Sequence, residues 1–339
     1  MKALKYSDIS LVPNYSTCET RAACDPSVNF LGTKFLLPVI PANMQSVINL
    51  EIASWMSSHG YFYIMHRFIE DIFENIQKAN YESWHTISFS CGVKTEDINL
   101  IKKIKEAKLK IDFLTIDIAH GHCLQMRKMI EHVKHFLPRT KIIAGNVSTP
   151  NAVADLSSWG ADAVKVGIGQ GSPCTTKDKT GFTMPMFSCV QQCSKVAFSR
   201  EDGFMLSSAS DIKDLDIPEK IPVIADGGIK SNGDIAKALV AGATMVMAGN
   251  LFAACTDSPA ADLAIDGYNH KAYFGSASFE NKGVRKNIEG KLTNIPSNGL
   301  TYGEKINEIT EDLQSSMSYA GGDSLSCFSN VTYYEQIQA

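Results

Sequence analysis

Near its middle the chain reads ADAVKVGIGQGSPCTT, residues 161–176. Residues 161–166 form a short apolar run typical of a buried strand, and alternating glycines follow it. Closely spaced glycines let backbone N–H groups converge on an anion, because no Cβ atoms stand in the way, and Ser172 adds a hydroxyl group. Cys174 comes two residues later, where its thiol would meet a molecule held by the glycines. The stretch predicts a phosphate-holding catalytic loop at a strand end, with a merely tight turn as the alternative.

The same order of elements recurs along the chain, because further apolar runs each lead through a polar or glycine junction into an amphipathic stretch. These runs lie at 37–40, 61–65, 86–90, 111–116, 141–144, 221–225 and 243–248. The amphipathic stretches predict helices near 49–58, 69–79, 96–107, up to 136, 150–158, 186–197, 231–241 and 303–317. Uninterrupted apolar strands are typical of a parallel sheet covered on both faces. Eight strand–helix units predict an α/β fold, a (β/α)8 TIM barrel, with a doubly wound open sheet as the alternative.

We assign the whole chain, residues 1–339, to a single catalytic domain. Residues 1–36 are predicted to form an irregular lead-in, and residues 200–220 a solvated acidic connector. The glycine-rich, basic segment at about 265–300 predicts a mobile flap over the barrel mouth rather than another core element. A C-terminal tail is expected at about 318–339.

The composition is that of an ordinary globular protein, with 44% hydrophobic residues and a net charge of -4. The negative charge argues against nucleic acid or an anionic membrane surface as a partner. The N-terminus lacks the apolar core of a signal peptide, and no apolar run reaches the roughly 18 residues that cross a bilayer. We therefore expect a cytoplasmic protein. Its nine cysteines include no zinc-type pair, so most are expected to be small buried hydrophobes.

Polar residues at the strand ends form the candidate site, because barrel active sites lie at the carboxyl ends of the strands. They are Asn43, His66, Asp117, His120, Asn146, Cys174, Asp226 and Gly249. Asp226-Gly227-Gly228 and Gly249-Asn250 end the last two strands, which commonly bind phosphate in such barrels. The Asp226 carboxylate suits a pair of ribose hydroxyls. The substrate class on these grounds is a phosphorylated ribose compound.

Three residues could carry covalent chemistry. Cys174 would act as a nucleophile in its thiolate form. Glu289, within the flap, could serve as an acid or base, with Thr176 relaying its proton, although the local sequence alone favours a solvated loop charge for Glu289. His120 and His122 flank a glycine, but without a third ligand, contact with a bound molecule is favoured over metal binding.

Residues 167–176, together with 225–229 and 145–147, resemble the IMP dehydrogenase/GMP reductase family, and the similarity extends from residue 4 to residue 322. Three features match the reductase members. Cys174-Thr175-Thr176 is followed by Lys179-Thr180-Gly181, and the flap contains Glu289-Gly290-Lys291. Strand two also continues directly into His66-Arg67-Phe68, without the inserted regulatory module of most dehydrogenase members. The 200–220 connector, by contrast, looks longer than the usual link of the family.

The resemblance implies NADPH-dependent reductive deamination of GMP to IMP and ammonia by a homotetramer. Cys174 would form a covalent thioimidate, and Thr176 and Glu289 would handle the protons. Positions that match substrate contacts are Met44, Ser172, Asp226, Gly227, Gly228, Gly249, Asn250, Ser276, Lys286 and Gly290. Positions on the cofactor side are Asp117, Ala119, His120, Asn146, Ser315 and Ser316, with Arg67 as a candidate for the 2′-phosphate and Arg21 reaching a neighbouring subunit's cofactor. The carbonyls of Gly169, Gly171 and Cys174 match a monovalent cation site, with K+ expected.

Two other functions are weighed against this one. A dehydrogenase member that lacks its regulatory module would need an Arg-Tyr pair on a long flap to activate water, and residues 274–289 contain no such pair. A non-catalytic purine nucleotide sensor would not need Cys174, Thr176 and Glu289 together. The preference for NADPH over NADH, effectors and the conformations of the flap stay open at this point.

Overall fold

The computed structural model describes residues 3–196, 220–283 and 286–336. Its strands are β1 (Ile9–Leu11), β2 (Val28–Phe30), β3 (Thr33–Phe35), β4 (Val39–Pro41), β5 (Ser88–Cys91), β6 (Phe113–Asp117), β7 (Lys141–Val147), β8 (Ala163–Val166), β9 (Val223–Asp226), β10 (Met245–Ala248), β11 (Asp262–Ile265), β12 (Tyr268–Tyr273), β13 (Thr293–Pro296) and β14 (Tyr333–Glu335). Its α-helices are α1 (Leu50–Ser58), α2 (Ile72–Tyr81), α3 (Thr95–Glu106), α4 (Leu124–Phe136), α5 (Pro150–Trp159), α6 (Thr176–Thr180), α7 (Met186–Cys193), α8 (Asn232–Val240), α9 (Asn250–Ala253), α10 (Phe279–Lys282) and α11 (Tyr302–Ala320). Short 3-10 helices span Tyr6–Asp8, Arg21–Ala23 and Leu325–Asn330.

Seven parallel strands form the largest sheet, in the order β4-β10-β9-β8-β7-β6-β5. The first of them along the chain, β4, pairs with the last, β10, so the sheet curls on itself instead of remaining open. The predicted (β/α)8 barrel is therefore confirmed, and the open-sheet alternative is wrong. All four residues of β5, β8 and β10 are buried, as expected for strands that have helices outside and side chains inside.

The predicted strand at 61–65 is wrong as a strand, although its burial is correct. Met65 makes a single bridge to Phe89, at the eighth position of the barrel. Residues 61–64 are held in place by side-chain contacts and not by the backbone hydrogen bonds of a strand pair. The Tyr63 hydroxyl donates to the Thr86 carbonyl at 2.7 Å, and the Phe62 ring packs edge-on against another ring, with centroids 4.9 Å apart. An apolar run indicates burial, but pairing also needs a partner strand in register.

Most predicted helices are confirmed, and their ends follow local capping. The α5 helix begins after Thr149, whose side chain accepts the Ala152 N–H, with Pro150 in the first turn. The α2 helix starts at Ile72 and not near residue 69, because Asp71 is its N-cap and accepts the Glu74 N–H. The α7 helix ends at Cys193, earlier than expected.

The lead-in is more regular than predicted. Strands β2 and β3 form a hairpin whose two turn residues, Leu31 and Gly32, both have positive φ, the conformation that joins tight hairpins. Strand β1 pairs antiparallel with β14, so the last described residues return to the beginning of the chain. The segment assigned to the tail thus contributes a strand of its own.

The segment assigned to the flap also contains regular structure, because β11, β12 and β13 form an antiparallel sheet. Lys271 on β12 is buried, and its ammonium donates to the Thr256 carbonyl and pairs with Asp262, both at 2.8 Å. The predicted connector at 200–220 lies, except for Lys220, outside the described residues. In the described part of the chain, no helix is both long enough and apolar enough to span a membrane.

Candidate active site

Three side chains form a continuous hydrogen-bonded chain where β8 gives way to α6. The Cys174 thiol donates to Thr176 Oγ1 at 3.1 Å, and the Thr176 hydroxyl donates to Glu289 Oε2 at 2.7 Å. We call these three side chains the relay. Thr176 and Glu289 are 113 positions apart in sequence, so the fold alone brings them together. The geometry gives a thiol proton a direct route to a carboxylate.

Backbone contacts hold the Glu289 segment against the cysteine loop. Thr175 N–H donates to the Glu289 carbonyl and Lys291 N–H to the Pro173 carbonyl, both at 2.9 Å. Gly290 lies between these contacts, where a Cβ atom would approach the Ser278 nitrogen to 2.9 Å. A larger residue would push Gly290 away from the Ala277–Ser278 backbone, so the glycine is required by close backbone packing within the flap segment.

The glycine loops at the ends of β8 and β9 pack backbone against backbone. A Cβ on Gly167 would lie 2.1 Å from the Asp226 carbonyl oxygen, and one on Gly227 would lie 3.3 Å from the Gly171 nitrogen. Gly249 follows β10, the neighbouring strand, and a Cβ there would lie 2.2 Å from the Tyr273 hydroxyl oxygen. The predicted phosphate elements therefore lie at adjacent strand ends, where backbone N–H groups can line an anion site.

A buried polar network occupies the barrel interior beneath these loops. The Lys165 side chain is 3% exposed, and its ammonium lies 2.8 Å from both Asp117 Oδ1 and Asp226 Oδ2. Asn43 donates to Asp117 at 3.1 Å, and Asn146 donates to Asp226 at 2.8 Å. We call these five residues the Lys165 network. It fixes two predicted site carboxylates, at the ends of β6 and β9.

Charge pairing sets the ionisation of the Lys165 network. Burial alone would lower the pKa of Lys165, but the carboxylates of Asp117 and Asp226 outweigh it and the pKa is raised. Burial likewise tends to raise the pKa of Asp117, yet Lys165, Arg67 and the Asn43 hydrogen bond hold it below its usual value. The lysine and the Asp117 carboxylate are therefore both charged at neutral pH.

Two site residues were missed from sequence. Lys165 was read only as part of an apolar strand; a lysine between Val164 and Val166 in a strand buried on both faces needs a charged partner, and that was the available signal. Tyr273 is buried against Gly249, one of the predicted phosphate elements, and nothing in the local sequence distinguishes it from a core aromatic.

The candidates on the cofactor side lie around the ends of β6 and β7. Asn146 donates to the Gly167 carbonyl at 2.7 Å as well as to Asp226, while its own Oδ1 is buried and has no hydrogen-bond partner among the described residues. Ala119 and His120 are exposed beside it and precede α4, which begins only at Leu124, so His120 is not at a helix start. The peptide bond between Gly145 and Asn146 is cis.

Arg67 and His122 are two further site candidates, and each has a carboxylate nearby. Arg67 lies near enough to Asp117 to affect its pKa, and Arg67 Nε is buried with no hydrogen-bond partner in the described part of the chain. His122 pairs with Asp155 at 2.7 Å. Among the described residues, no group of three or more His, Cys, Asp and Glu side chains could hold a metal ion.

A second cluster contains the remaining cofactor candidates. Arg21 donates to Ser315 Oγ at 3.4 Å and to the Tyr319 hydroxyl at 3.3 Å. Ser315 and Ser316 belong to α11, which runs to Ala320, and not to a tail. Among the described residues, the hydrogen bonds of Arg21 and of the two serines do not reach the cysteine loop.

The residues expected to contact the purine base belong to segments near Cys174. A Cβ on Gly275 would be 3.6 Å from Pro173 Cγ and 4.0 Å from Met44 Cε, so Met44 and the segment that contains Ser276 border the cysteine loop. Lys286 is exposed. Of the cation-site candidates, Gly169 has a left-handed φ of 75°, and the Gly171 carbonyl accepts the Cys174 N–H at 3.0 Å.

Comparison with known proteins agrees with this geometry. The family model described as the IMP dehydrogenase / GMP reductase domain matches residues 3–339. GMP reductase of Staphylococcus carnosus is 43% identical over 335 residues, which cover 98% of this chain and 96% of the relative. GMP reductase of Staphylococcus epidermidis is 44% identical over 335 residues, with coverage of 98% and 96%. GMP reductase of Oenococcus oeni is 43% identical over 335 residues, with coverage of 98% and 97%.

Proposed function

The chain belongs to the IMP dehydrogenase/GMP reductase family, and from this membership we propose that it catalyses the NADPH-dependent reductive deamination of GMP to IMP and ammonia. The observation that carries the proposal is the relay, in which the Cys174 thiol, the Thr176 hydroxyl and the Glu289 carboxylate are joined at 3.1 and 2.7 Å. A nucleotide-binding protein without chemistry would have no use for this arrangement.

The substrate would be held from its phosphate to its base. Backbone N–H groups of Gly228, Gly249 and Asn250, with the Ser172 hydroxyl, would bind the phosphate, and Gly227 shapes that loop. Asp226 would bind the ribose hydroxyls, because its Oδ2 already accepts Lys165 and Asn146 while no described residue donates a hydrogen bond to Oδ1. The base would lie against Met44, with Ser276, Lys286 and Gly290 closing over it from the flap.

The relay would then perform the covalent step. The thiol proton passes through Thr176 to Glu289, and the Cys174 thiolate attacks purine C2, forming a carbon–sulfur bond. Glu289 returns a proton through Thr176 to the exocyclic nitrogen, which leaves as ammonia. A thioimidate remains on Cys174, and the thiolate departs when C2 is reduced. General acid–base groups placed in this way typically contribute about 10²–10⁴-fold to the rate.

NADPH supplies the hydride that reduces C2. Asp117, Ala119, His120 and Asn146 would line its side of the mouth, and the partnerless Asn146 Oδ1 suits a donor group such as an amide N–H or a hydroxyl. Arg67 would pair with the 2′-phosphate. Ser315 and Ser316 would lie near the cofactor, and Arg21 would reach the cofactor of a neighbouring subunit, which fits a homotetramer.

A monovalent cation, K+, would be bound by the carbonyls of Gly169, Gly171 and Cys174. Potassium prefers carbonyl oxygens, and the left-handed φ of 75° at Gly169 turns that stretch of backbone sharply. A cytoplasmic location is the natural one for an enzyme of nucleotide metabolism, and neither nucleic acid nor a membrane is needed for this reaction.

The proposal is tested by incubating the purified protein with GMP and NADPH, and separately with IMP and NAD. We expect loss of NADPH absorbance with GMP and an equal amount of ammonia released. NADH formation from IMP would instead support a dehydrogenase without its regulatory module. Tight binding of GMP without turnover would support a nucleotide sensor.

A further inference from the structure

The triplet Lys179-Thr180-Gly181 has no role in the mechanism given above. It forms the end of α6, the short helix that begins at Thr176. Gly181 has a left-handed φ of 78° and its N–H donates to the Lys177 carbonyl at 3.0 Å, so it ends the helix one turn after the relay threonine. Lys179 and Thr180, whose side chains are exposed, therefore share one short helical turn with Thr176.

Lys179 contacts the segment that carries Glu289. Its ammonium donates to the Ile288 carbonyl at 2.5 Å, and the Glu289 carbonyl accepts Thr175 N–H at 2.9 Å. Two consecutive carbonyls of the Glu289 segment are therefore bound by α6 and the residue before it. A charged donor makes a stronger hydrogen bond than a neutral one.

Thr180 contacts the other partner in the proton transfer, Thr176. Its hydroxyl donates to the Thr176 carbonyl at 2.7 Å and accepts the Phe182 N–H at 3.1 Å. These bonds hold the backbone of Thr176 in place, while the hydrogen bond from Lys179 holds the backbone beside Glu289. Both residues act through the relay and neither contacts Cys174 in the hydrogen bonds of the described residues.

We propose that Lys179 and Thr180 are positioning residues that keep the Thr176 hydroxyl within hydrogen-bonding distance of the Glu289 carboxylate. The inference rests on the proposed function, because it assigns them to the proton transfer of that reaction. Proton transfer needs heavy atoms about 2.6–3.2 Å apart, and a misplacement of about 1 Å can reduce a rate about 10²-fold. By contrast, an exposed lysine without this positioning role would contribute almost nothing to the rate.

The test compares Lys179→Met with Lys179→Arg and with Lys177→Met. Lys177 lies on the same helix, is exposed, and makes no side-chain hydrogen bond among the described residues, so it is the matched control. We expect Lys179→Met to lower kcat for GMP about 10–100-fold with the KM for GMP changed less than about 3-fold. Lys179→Arg should recover part of the loss, and Lys177→Met should behave like the parent.

A double-mutant cycle separates positioning from a general structural effect. In a Glu289→Gln background, Lys179→Met should cost almost nothing more, because the carboxylate that it positions is already absent. Thr180→Val should lower kcat in the same way, and Thr180→Ser should retain it. Unchanged thermal unfolding of each variant would show that the fold is intact.

Three outcomes would overturn the inference: a parent-like kcat in Lys179→Met, an equal loss in the presence and absence of Glu289, or a loss that appears in KM alone. These differ from failure of the proposed function, which would show as no GMP-dependent NADPH oxidation by the parent protein and would remove both proposals.

Discussion

The relay and the Lys165 network both lie at the carboxyl end of the barrel, but they are built differently. The relay joins two loop segments, and its members are only partly buried. The Lys165 network joins the ends of barrel strands, and its lysine is almost completely buried. The first is positioned by a few backbone contacts between loops, and the second by the parallel sheet itself.

In the proposed reaction, the relay would carry out the chemistry, and the Lys165 network would help to bind the substrate and the cofactor. Residues on strand ends keep their positions as long as the barrel is folded, which suits groups that bind a ribose or a cofactor. Residues on loops can be brought together or moved apart without unfolding. We therefore expect relay variants to lose turnover while keeping stability, and variants of the Lys165 network to lose stability as well as binding.

The largest effect is expected for Cys174→Ala. Turnover of GMP should fall by at least about 10⁴-fold, because no other group can form the bond to C2. Binding of GMP, measured by calorimetry, should remain close to that of the parent. Cys18→Ala, at a partly buried cysteine in the lead-in, is the control. Retained turnover in Cys174→Ala would contradict the covalent mechanism.

Glu289→Gln should lower kcat by about 10²–10⁴-fold and leave the free energy of unfolding unchanged. The amide keeps the shape of the side chain but cannot accept a proton from Thr176. Glu280→Gln, at an exposed position on α10 of the same segment, should have no effect on either quantity. A large loss of stability in Glu289→Gln would mean that the relay supports the fold and is not separable from it.

Lys165→Met should lower the free energy of unfolding by about 3–5 kcal/mol, because two buried carboxylates lose their counter-charge. Urea unfolding measures the change. Lys141→Met removes a lysine from the neighbouring strand β7 that is 43% exposed and 3.8 Å from Asp162, and it should cost less than about 1 kcal/mol. Equal costs for the two variants would remove the distinction between the network and a surface pair.

The smallest effect concerns pH. Burial lowers the pKa of His66 to about 4, although a backbone hydrogen bond with Ile48 acts in the opposite direction. The unfolded chain therefore binds a proton at a higher pH than the native protein. Stability should be complete above about pH 6.5 and should decline as the pH falls towards 4, by up to roughly 3 kcal/mol.

His66→Asn should flatten this dependence, because its amide oxygen can still accept the Phe68 N–H that His66 Nδ1 accepts at 3.1 Å. The check is the free energy of unfolding at several pH values between 7 and 4.5. An identical decline in the variant would show that other groups, and not His66, cause the acid sensitivity.

The barrel was predictable because uninterrupted apolar strands followed by capped amphipathic helices occur in few folds. Pairing was less predictable than burial. The run at 61–65 is as apolar as its neighbours, yet only Met65 joins the sheet. The hairpin at 28–35 was indicated by Leu31-Gly32, but its three-residue strands are too short to give a clear alternation.

The site was predictable in its local parts. Cys174 and Thr176 are close in sequence, so their proximity needs no tertiary information. The local interpretation of Glu289 favoured a solvated charge, a proton relay through Thr176 was the alternative, and the family resemblance favoured the relay. The 2.7 Å hydrogen bond between Thr176 and Glu289 is a contact that no local pattern could supply. The place of Lys165 between two valines indicated that it needs a charged partner. The partners themselves lie on other strands, so the local sequence could not identify them.

The antiparallel pairing of Ile9 with Glu335 has a practical consequence for protein engineering. Strands β1 and β14 share one ribbon, so a short linker joining them, with the polypeptide reopened in a surface turn, would give a circular permutant with the same strand pairing. The same pairing means that removal of β14 would also expose the unpaired edge of β1.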